Sequence, residues 1–398
     1  MYSVNNYQYS IINNYDNVFT LLNYFYVIIK MEGDNLGNSL KIIVPDNFKD
    51  FGKKVNTHIN LIKNTDHNYI LSPDLVRFNN GEGKCILGES IRGKDTYILS
   101  DVSNYSITYK RQTGTHYMSP DEHFMDILRI INATCCHTKN LTAILPYLYQ
   151  SRQDKRTTKE SLDLAMALNQ LSFMGVKELV TADVHNKTAC DNASLKMPID
   201  NFYCSDDIIL KLLENEHLDP SNLMVVAPDE GAFSRASFYS SILGGVPLGV
   251  FKKQRDYLNV KDGSNPITTH QFLSNADITG KDILVVDDMI ATGGSIIDTA
   301  KQLKERGANK VFLVVTFGLF TLGADMFDVG YKNKLFDKVY VTNLNYVPEK
   351  IINSDWLCQV DCSSKVAEII CKLNNQDSVG SLLKSSDETI SKIKKYIR

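Results

Sequence analysis

KDILVVDDMIATGGS, residues 281–295, decides how the rest of the chain is read. Its residues 283–286 (ILVV) are wholly apolar and β-branched at three of four positions, the composition of a short strand buried on both faces. Two carboxylates, Asp287 and Asp288, stand at the carboxyl end of that run. The small-residue turn Ala291-Thr292-Gly293-Gly294-Ser295 follows. Ile296, Ile297, Ala300 and Leu303 then continue on one helical face. Glycines let backbone N–H groups close around an anion, and a helix N-terminus adds a favourable dipole. The acids can accept hydrogen bonds from vicinal hydroxyls. A phosphate cradle beside hydroxyl-reading acids suits a ribose phosphate, although Gly-Gly turns between strand and helix are common in α/β proteins for structural reasons alone.

The chain around this loop has 398 residues, too many for one small core, and at least two domains are expected. A net charge of -3 gives no support for nonspecific nucleic-acid binding. Apolar content of 43% with mean hydropathy -0.19 describes an ordinary globular composition. Eight cysteines without regular spacing argue against a disulfide framework and for the cell interior, a cytoplasmic setting. Residues 18–29 (VFTLLNYFYVII) are too short to span a membrane and carry neither a basic flank nor a cleavage site. Residues 1–39 are therefore expected to be an extension, with ordinary globular sequence beginning at 40.

From residue 40 onward, β-like runs at 97–99, 141–145, 178–182, 223–227, 247–251, 283–286 and 310–315 alternate with amphipathic segments. One of these, 161–174, places Leu162, Ala165, Leu168, Leu171 and Ser172 near one stripe. The alternation predicts an α/β fold of two related domains, each a mainly parallel sheet flanked by helices. Their expected limits are 40–198 and 199–345, with 346–398 packing back on the first. Residues 102–123 lack periodicity and read as a polar surface insertion.

In a parallel sheet, ligand groups belong at the strands' carboxyl ends. Four successive ends comply: Asp183 and His185, Asp229 and Glu230, Lys252, Lys253 and Arg255, then Asp287 and Asp288. In SRQDKR (151–156), Arg152 offers a planar cation for a purine face or phosphates, while Gln153 and Asp154 can bond an adenine edge or ribose. Asp229 and Asp183 are oxygen donors of the kind Mg²⁺ prefers, and His185 is an unusual but feasible one. FKKQRDY (251–257) holds three cations in four residues, costly to gather without an anion. Residues 258–265 after it have the composition of a mobile flap. RFNNGEGKC (77–85) reads by itself as a hairpin turn.

The 287–295 loop resembles that of the type I phosphoribosyltransferases and of ribose-phosphate pyrophosphokinase. The remaining segments separate the two. PYLYQSRQDKR resembles the pyrophosphokinase ATP segment, TADVH its Asp-Leu-His, APDEGAFSRA its Ser-Pro-Asp turn, and RFNNGEG its Phe-Ser-Asn/Asp-Gly-Glu. All run in family order from about 70 to 345. The resemblance implies ATP and ribose 5-phosphate as substrates, Mg²⁺ as cofactor, and a homo-oligomer, dimer or hexamer. It implies that Asp287, Asp288, Ala291, Thr292, Gly293, Gly294 and Ser295 hold ribose 5-phosphate. Arg152, Gln153 and Asp154 would hold ATP, together with Phe78, Asn80 and Glu82 of a neighbouring subunit. His185, Asp229 and Asp183 would hold the metal, and Lys253 with Arg255 would be catalytic. Two departures stand out: the 102–123 insertion, and Ala291 where many relatives carry an acid.

Overall fold

The computed structural model describes residues 39–255, 267–383 and 387–397, and at 253–255, 267–270, 387–389 and 397 the backbone alone. Residues 1–38, and with them nearly all of the expected extension, lie outside the described residues, as does the expected flap at 258–265. The first unit contains β1 (Leu40–Ile43), β2 (Ile70–Leu71), β3 (Asp74–Arg77), β4 (Gly83–Ile86), β5 (Asp95–Leu99), β6 (Thr108–Arg111), β7 (Gly114–Tyr117), β8 (Asn140–Ile144), β9 (Glu178–Ala182) and β10 (Ile199–Phe202). The second contains β11 (Leu223–Ala227), β12 (Leu248–Arg255), β13 (Ile267–Ser274), β14 (Asp282–Ile290), β15 (Val311–Gly318), β16 (Lys338–Thr342) and β17 (Leu357–Val360).

Six strands of each unit form a parallel sheet, in the orders β2-β1-β5-β8-β9-β10 and β12-β11-β14-β15-β16-β17. Both read second, first, third, fourth, fifth, sixth, so the halves share one topology. β13 adds an antiparallel edge to the second sheet, while β3–β4 and β6–β7 are separate hairpins. Parallel neighbours require crossovers, which the helices Lys49–Lys63, Asp163–Phe173, Phe233–Ile242 and Gly294–Glu305 supply. A central apolar layer draws on both sheets: Ile42, Tyr97 and Val180 from the first, Val225, Leu284 and Val314 from the second. Each sheet buries its other face under its own helices. The last segment is divided between the units. β17 extends the second sheet, while the helix Ser363–Asn374 packs on Lys49–Lys63 of the first, tied by Lys54 to Asp361 (2.9 Å) and Asn374 to Asp95 (2.9 Å).

Three details depart from the sequence reading. β14 does not stop at Val286 but continues to Ile290, because its ladder with β15 carries on through Asp287↔Val315 and Met289↔Phe317. In the helix Asp163–Phe173 the buried stripe is Leu164, Ala167, Leu168 and Leu171. Leu162 caps the helix half-buried, so the apolar face lies further round than Leu162 and Ala165 suggest. Residues 102–123 are not a featureless insertion: Val102 and Met118 are buried anchors around the β6–β7 hairpin. Exposure on both faces of that hairpin removes the alternation that would have marked it.

Glu122 joins hairpin to helix. It closes a capping box with Ser119 at the start of Pro120–Thr134, and accepts hydrogen bonds from Tyr109 Oη (2.7 Å) and His116 Nε2 (3.0 Å). Burial alone would raise its pKa, but the bonds from Ser119, Tyr109 and His116 outweigh it and hold the carboxyl at about 2. A depressed folded value stabilises the native state above the unfolded value, and that contribution disappears as pH falls through the folded one. Glu122→Gln is therefore expected to lower Tm at pH 7. The gap from wild type should close between pH 4.5 and about 2, as thermal melts across that range would record.

The strand order reverses between β1 and β5 in the first unit and between β11 and β14 in the second. Ligand crevices open at such points. In the first unit a cavity of about 280 Å³ opens there, and the polar side chains along it bond to one another. Asn47 Nδ2 donates to Ser100 Oγ (3.0 Å) and to the Asp101 carbonyl (2.8 Å), Asn104 Nδ2 donates to the Asn47 carbonyl (2.7 Å), and His123 Nε2 donates to the Asn104 carbonyl (2.7 Å). The crevice of the second unit differs in being lined from both units.

Candidate active site

That crevice is a cavity of about 240 Å³, lined from the second unit by Asp229, Arg235, Asp287, Asp288, Thr292, Gly293 and Ser295, and from the first by Arg152 and His185. The two sheets thus present their strand ends to one another across it. Gly293 adopts φ +93°, and a Cβ there would lie 2.5 Å from the Phe327 ring, so glycine is required both by conformation and by space. The helix Gly294–Glu305 begins with no side-chain cap, and a helix N-terminus favours an anion. Ala291 holds the turn through its carbonyl, which accepts from the Thr321 amide at 3.0 Å and Thr321 Oγ1 at 3.2 Å. No side chain is needed at 291 for that role.

The acid pair is electrostatically split. Burial, then the charges of Asp288 and Asp229, push Asp287 up to about 8. Burial acts on Asp288 in the same sense, but the His185 hydrogen bond and the Arg235 guanidinium outweigh it and hold this carboxyl below its ordinary value. His185 Nδ1 lies 2.6 Å from Asp288 Oδ2, a bond spanning the two units, and this bond raises the imidazole pKa. The contact orients the ring and leaves Nε2 as its remaining ligating atom, the usual arrangement behind a metal-binding histidine. Asp229 Oδ1 accepts from the Ala232 amide at 3.2 Å. Its second oxygen, with His185 Nε2, supplies the oxygen and nitrogen donors that a hydrated Mg²⁺ can take.

Asp183 corrects the sequence reading of a metal ligand. Its side chain is 1% exposed and both oxygens are engaged: Arg235 Nε is 3.0 Å from each, Arg235 Nη2 is 2.7 Å from Oδ1, and Thr316 Oγ1 donates to Oδ2. It is a buried anchor for Arg235. Thr316 carries no sequence signal, since it lies within an otherwise apolar strand, β15. Gln153 and Asp154 do not line the cavity. Gln153 Nε2 donates to the Ser161 carbonyl (3.1 Å), and Asp154 Oδ2 accepts from Asn186 (2.6 Å). Phe78, Asn80 and Glu82 lie at the β3–β4 tip and are also not among the cavity's lining residues. Gly294 starts the helix behind the cradle without lining the cavity.

Lys253 and Arg255 lie in β12, but their side chains are outside the described residues. β12 pairs with β11 only through Val250↔Ala227, and from Lys252 onward its partner is β13. The cationic segment is thus not a turn at a strand end, but part of an antiparallel ribbon projecting past the sheet. Away from the cavity, Cys362 meets Cys204 and Asp207; Lys365 already supplies the cation there, 2.8 Å from Asp206 Oδ1.

Two parallel sheets of one topology, the second with an acid pair beside an anion cradle at its switch point, define a double phosphoribosyltransferase-type fold. Residues 40–175 match the N-terminal domain of ribose phosphate pyrophosphokinase and residues 205–339 the phosphoribosyl transferase domain. The ribose-phosphate pyrophosphokinase of Vibrio cholerae is 27% identical over 309 residues, 77% of this chain and 89% of the relative. The chloroplastic ribose-phosphate pyrophosphokinase 2 of Spinacia oleracea is 29% identical over 311 residues, 77% of this chain and 71% of the relative. The phosphoribosylpyrophosphate synthetase of Mycobacterium smegmatis has the same fold, with a TM-score of 0.68 at 23% identity, covering 85% of this chain and 99% of that one. The chain belongs to the ribose-phosphate pyrophosphokinase family.

Proposed function

We propose that this protein is a ribose-phosphate diphosphokinase. The 1-hydroxyl of ribose 5-phosphate attacks the β-phosphorus of ATP, the bond from that phosphorus to the α,β-bridging oxygen breaks, and phosphoribosyl pyrophosphate and AMP form. The carrying observation is the pairing of Asp287 and Asp288 with an uncapped helix N-terminus, faced by Arg152 and His185 from the other unit. Ordered binding matters most, because such transfers rely on positioning and charge stabilisation. The amides at 291–295 hold the 5-phosphate. Asp288, kept ionised by His185 and Arg235, accepts from a ribose hydroxyl, with Asp287 beside it. Arg152 meets the triphosphate or adenine, and Lys253 with Arg255 closes over the transferring group. Gln153 and Asp154 shape the loop that presents Arg152.

Mg²⁺ at His185 and Asp229 would neutralise the triphosphate. The 78–82 turn meets the adenosine of a second copy, which makes the active form a homo-oligomer, at least a dimer. The cysteines are all free, consistent with a reducing, cytoplasmic setting. Among the described residues no helix is long and apolar enough to cross a membrane. Asp287→Asn is expected to raise KM for ribose 5-phosphate more than KM for ATP. Equal rises for both would assign this acid to the metal–nucleotide instead of the sugar.

A further inference from the structure

The β3–β4 hairpin joins neither large sheet, and a two-stranded ribbon is by itself marginally stable. Its 78–82 tip is nevertheless well ordered internally. The Phe78 amide donates to the Glu82 carbonyl at 2.8 Å, the Gly81 amide to the Phe78 carbonyl at 2.8 Å, and Asn80 Nδ2 to Glu82 Oε2 at 2.7 Å. The Phe78 ring is left 47% exposed. Support comes from the helix Pro120–Thr134, whose Asp126 pairs with Arg77, and from the second hairpin. Arg111 Nη2 donates to the Asn80 carbonyl at 3.2 Å, and the Arg77 guanidinium, at the end of β3, sits 5.5 Å from the Tyr109 ring centroid. A Cβ at Gly81 would lie 3.2 Å from Arg111 Nη2 and 3.3 Å from Tyr109 Oη, so the two hairpins touch with no room to spare.

The second hairpin is in turn fixed to the body of the first unit. Tyr109 and His116 both bond Glu122 on the helix Pro120–Thr134, and the loop leading into β6 is pinned by Asn104 to Asn47 and by His123 to Asn104. A continuous chain of contacts therefore runs from helix through Glu122, Tyr109 and Arg111 to the exposed turn. A binding loop held in its bound shape avoids the ordering cost of association.

We propose that the β6–β7 hairpin is a brace that pre-forms the 78–82 turn for a second copy's nucleotide, with Arg111 and Tyr109 as positioning residues. This rests on the reading that the turn meets that nucleotide. Steady-state kinetics of the full chain test it with Arg111→Ala, Arg111→Lys and Tyr109→Phe, alongside Phe78→Ala. Arg111→Ala should raise KM for ATP about three- to tenfold, the factor of a single hydrogen bond. KM for ribose 5-phosphate, kcat and the oligomer mass should be unchanged. Lysine at 111 should restore most of the loss, since it can still donate to the Asn80 carbonyl. Tyr109→Phe, which keeps the ring and loses only the Glu122 bond, should give a smaller rise of the same kind. An unchanged KM for ATP in Arg111→Ala, while Phe78→Ala raises it, overturns the brace alone. No effect from Phe78→Ala overturns the reading of the turn and the brace with it. Parallel rises for ATP and ribose 5-phosphate also overturn the brace, because they signal general loosening.

Discussion

Lys253→Ala is expected to lower kcat by at least ~10³ while leaving Tm within a degree or two of wild type. The magnitude follows from what one well-placed cation contributes to phosphoryl transfer, roughly 10³–10⁵ in rate. The small thermal effect follows from position. Beyond Val250, β12 leaves β11 and pairs only with β13, so Lys253 belongs to a ribbon outside the parallel sheet. Rapid-quench or coupled assays at saturating substrates separate this loss from a binding defect. A variant within tenfold of wild type would remove Lys253 from the catalytic machinery. Lys252, whose Nζ lies 3.8 Å from Glu230, would then be the next cation to test.

Asp183→Ala is expected to cost about 3–5 kcal/mol of stability, the usual result of deleting one partner of a buried ion pair. Arg235 would be left with its charge largely buried and its main partner gone, and Thr316 would lose its acceptor. Urea denaturation measures the loss directly. Replacing both members of the pair, Asp183→Leu with Arg235→Met, should recover most of it, because removing both charges removes the desolvation problem. A metal-ligand role predicts a different pattern, with weakened Mg²⁺ binding and near-normal stability. Stability within 1 kcal/mol of wild type would return Asp183 to the ligand set.

Why Asp183 misleads in sequence is instructive. Its spacing from His185 at a strand end is what a metal pair would show, and nothing local reveals that Arg235, fifty-two residues later, takes both oxygens. Long-range pairing is invisible to local pattern. Several core strands, by contrast, are plain in the sequence because they are buried on both faces: the 223–227 and 178–182 runs coincide with β11 and β9 residue for residue, whereas β1, β10, β16 and β17 fall outside the expected runs. The acid pair and the Thr-Gly-Gly-Ser turn are plain for a related reason, since they follow closely on the buried run 283–286. The β6–β7 hairpin stayed hidden because neither of its faces is buried, so its alternation carries no apolar signal. The shared strand order of the two halves was likewise hidden, as it depends on crossovers and on which neighbour each strand pairs with. A cavity opens at the reversal of strand order in both halves, and in the first it is lined by Asn47, Ser100 and His123.

Ala291 stands where an acid is common, yet its contribution here is a carbonyl bonded to Thr321. In the proposed cradle, phosphate would be held by amides and by the turn at Gly293, whose φ of +93° a residue with a Cβ adopts only with strain.

The central claim is that the cavity between the two units transfers pyrophosphate to a ribose phosphate, and AMP formation by the purified protein tests it most directly. The account predicts AMP and phosphoribosyl pyrophosphate in equal amounts from ATP, only when ribose 5-phosphate and Mg²⁺ are both present. Nucleotide binding without AMP would contradict it and mark the protein as a regulator. Consumption of phosphoribosyl pyrophosphate by a free base, without ATP, would contradict it in the other direction.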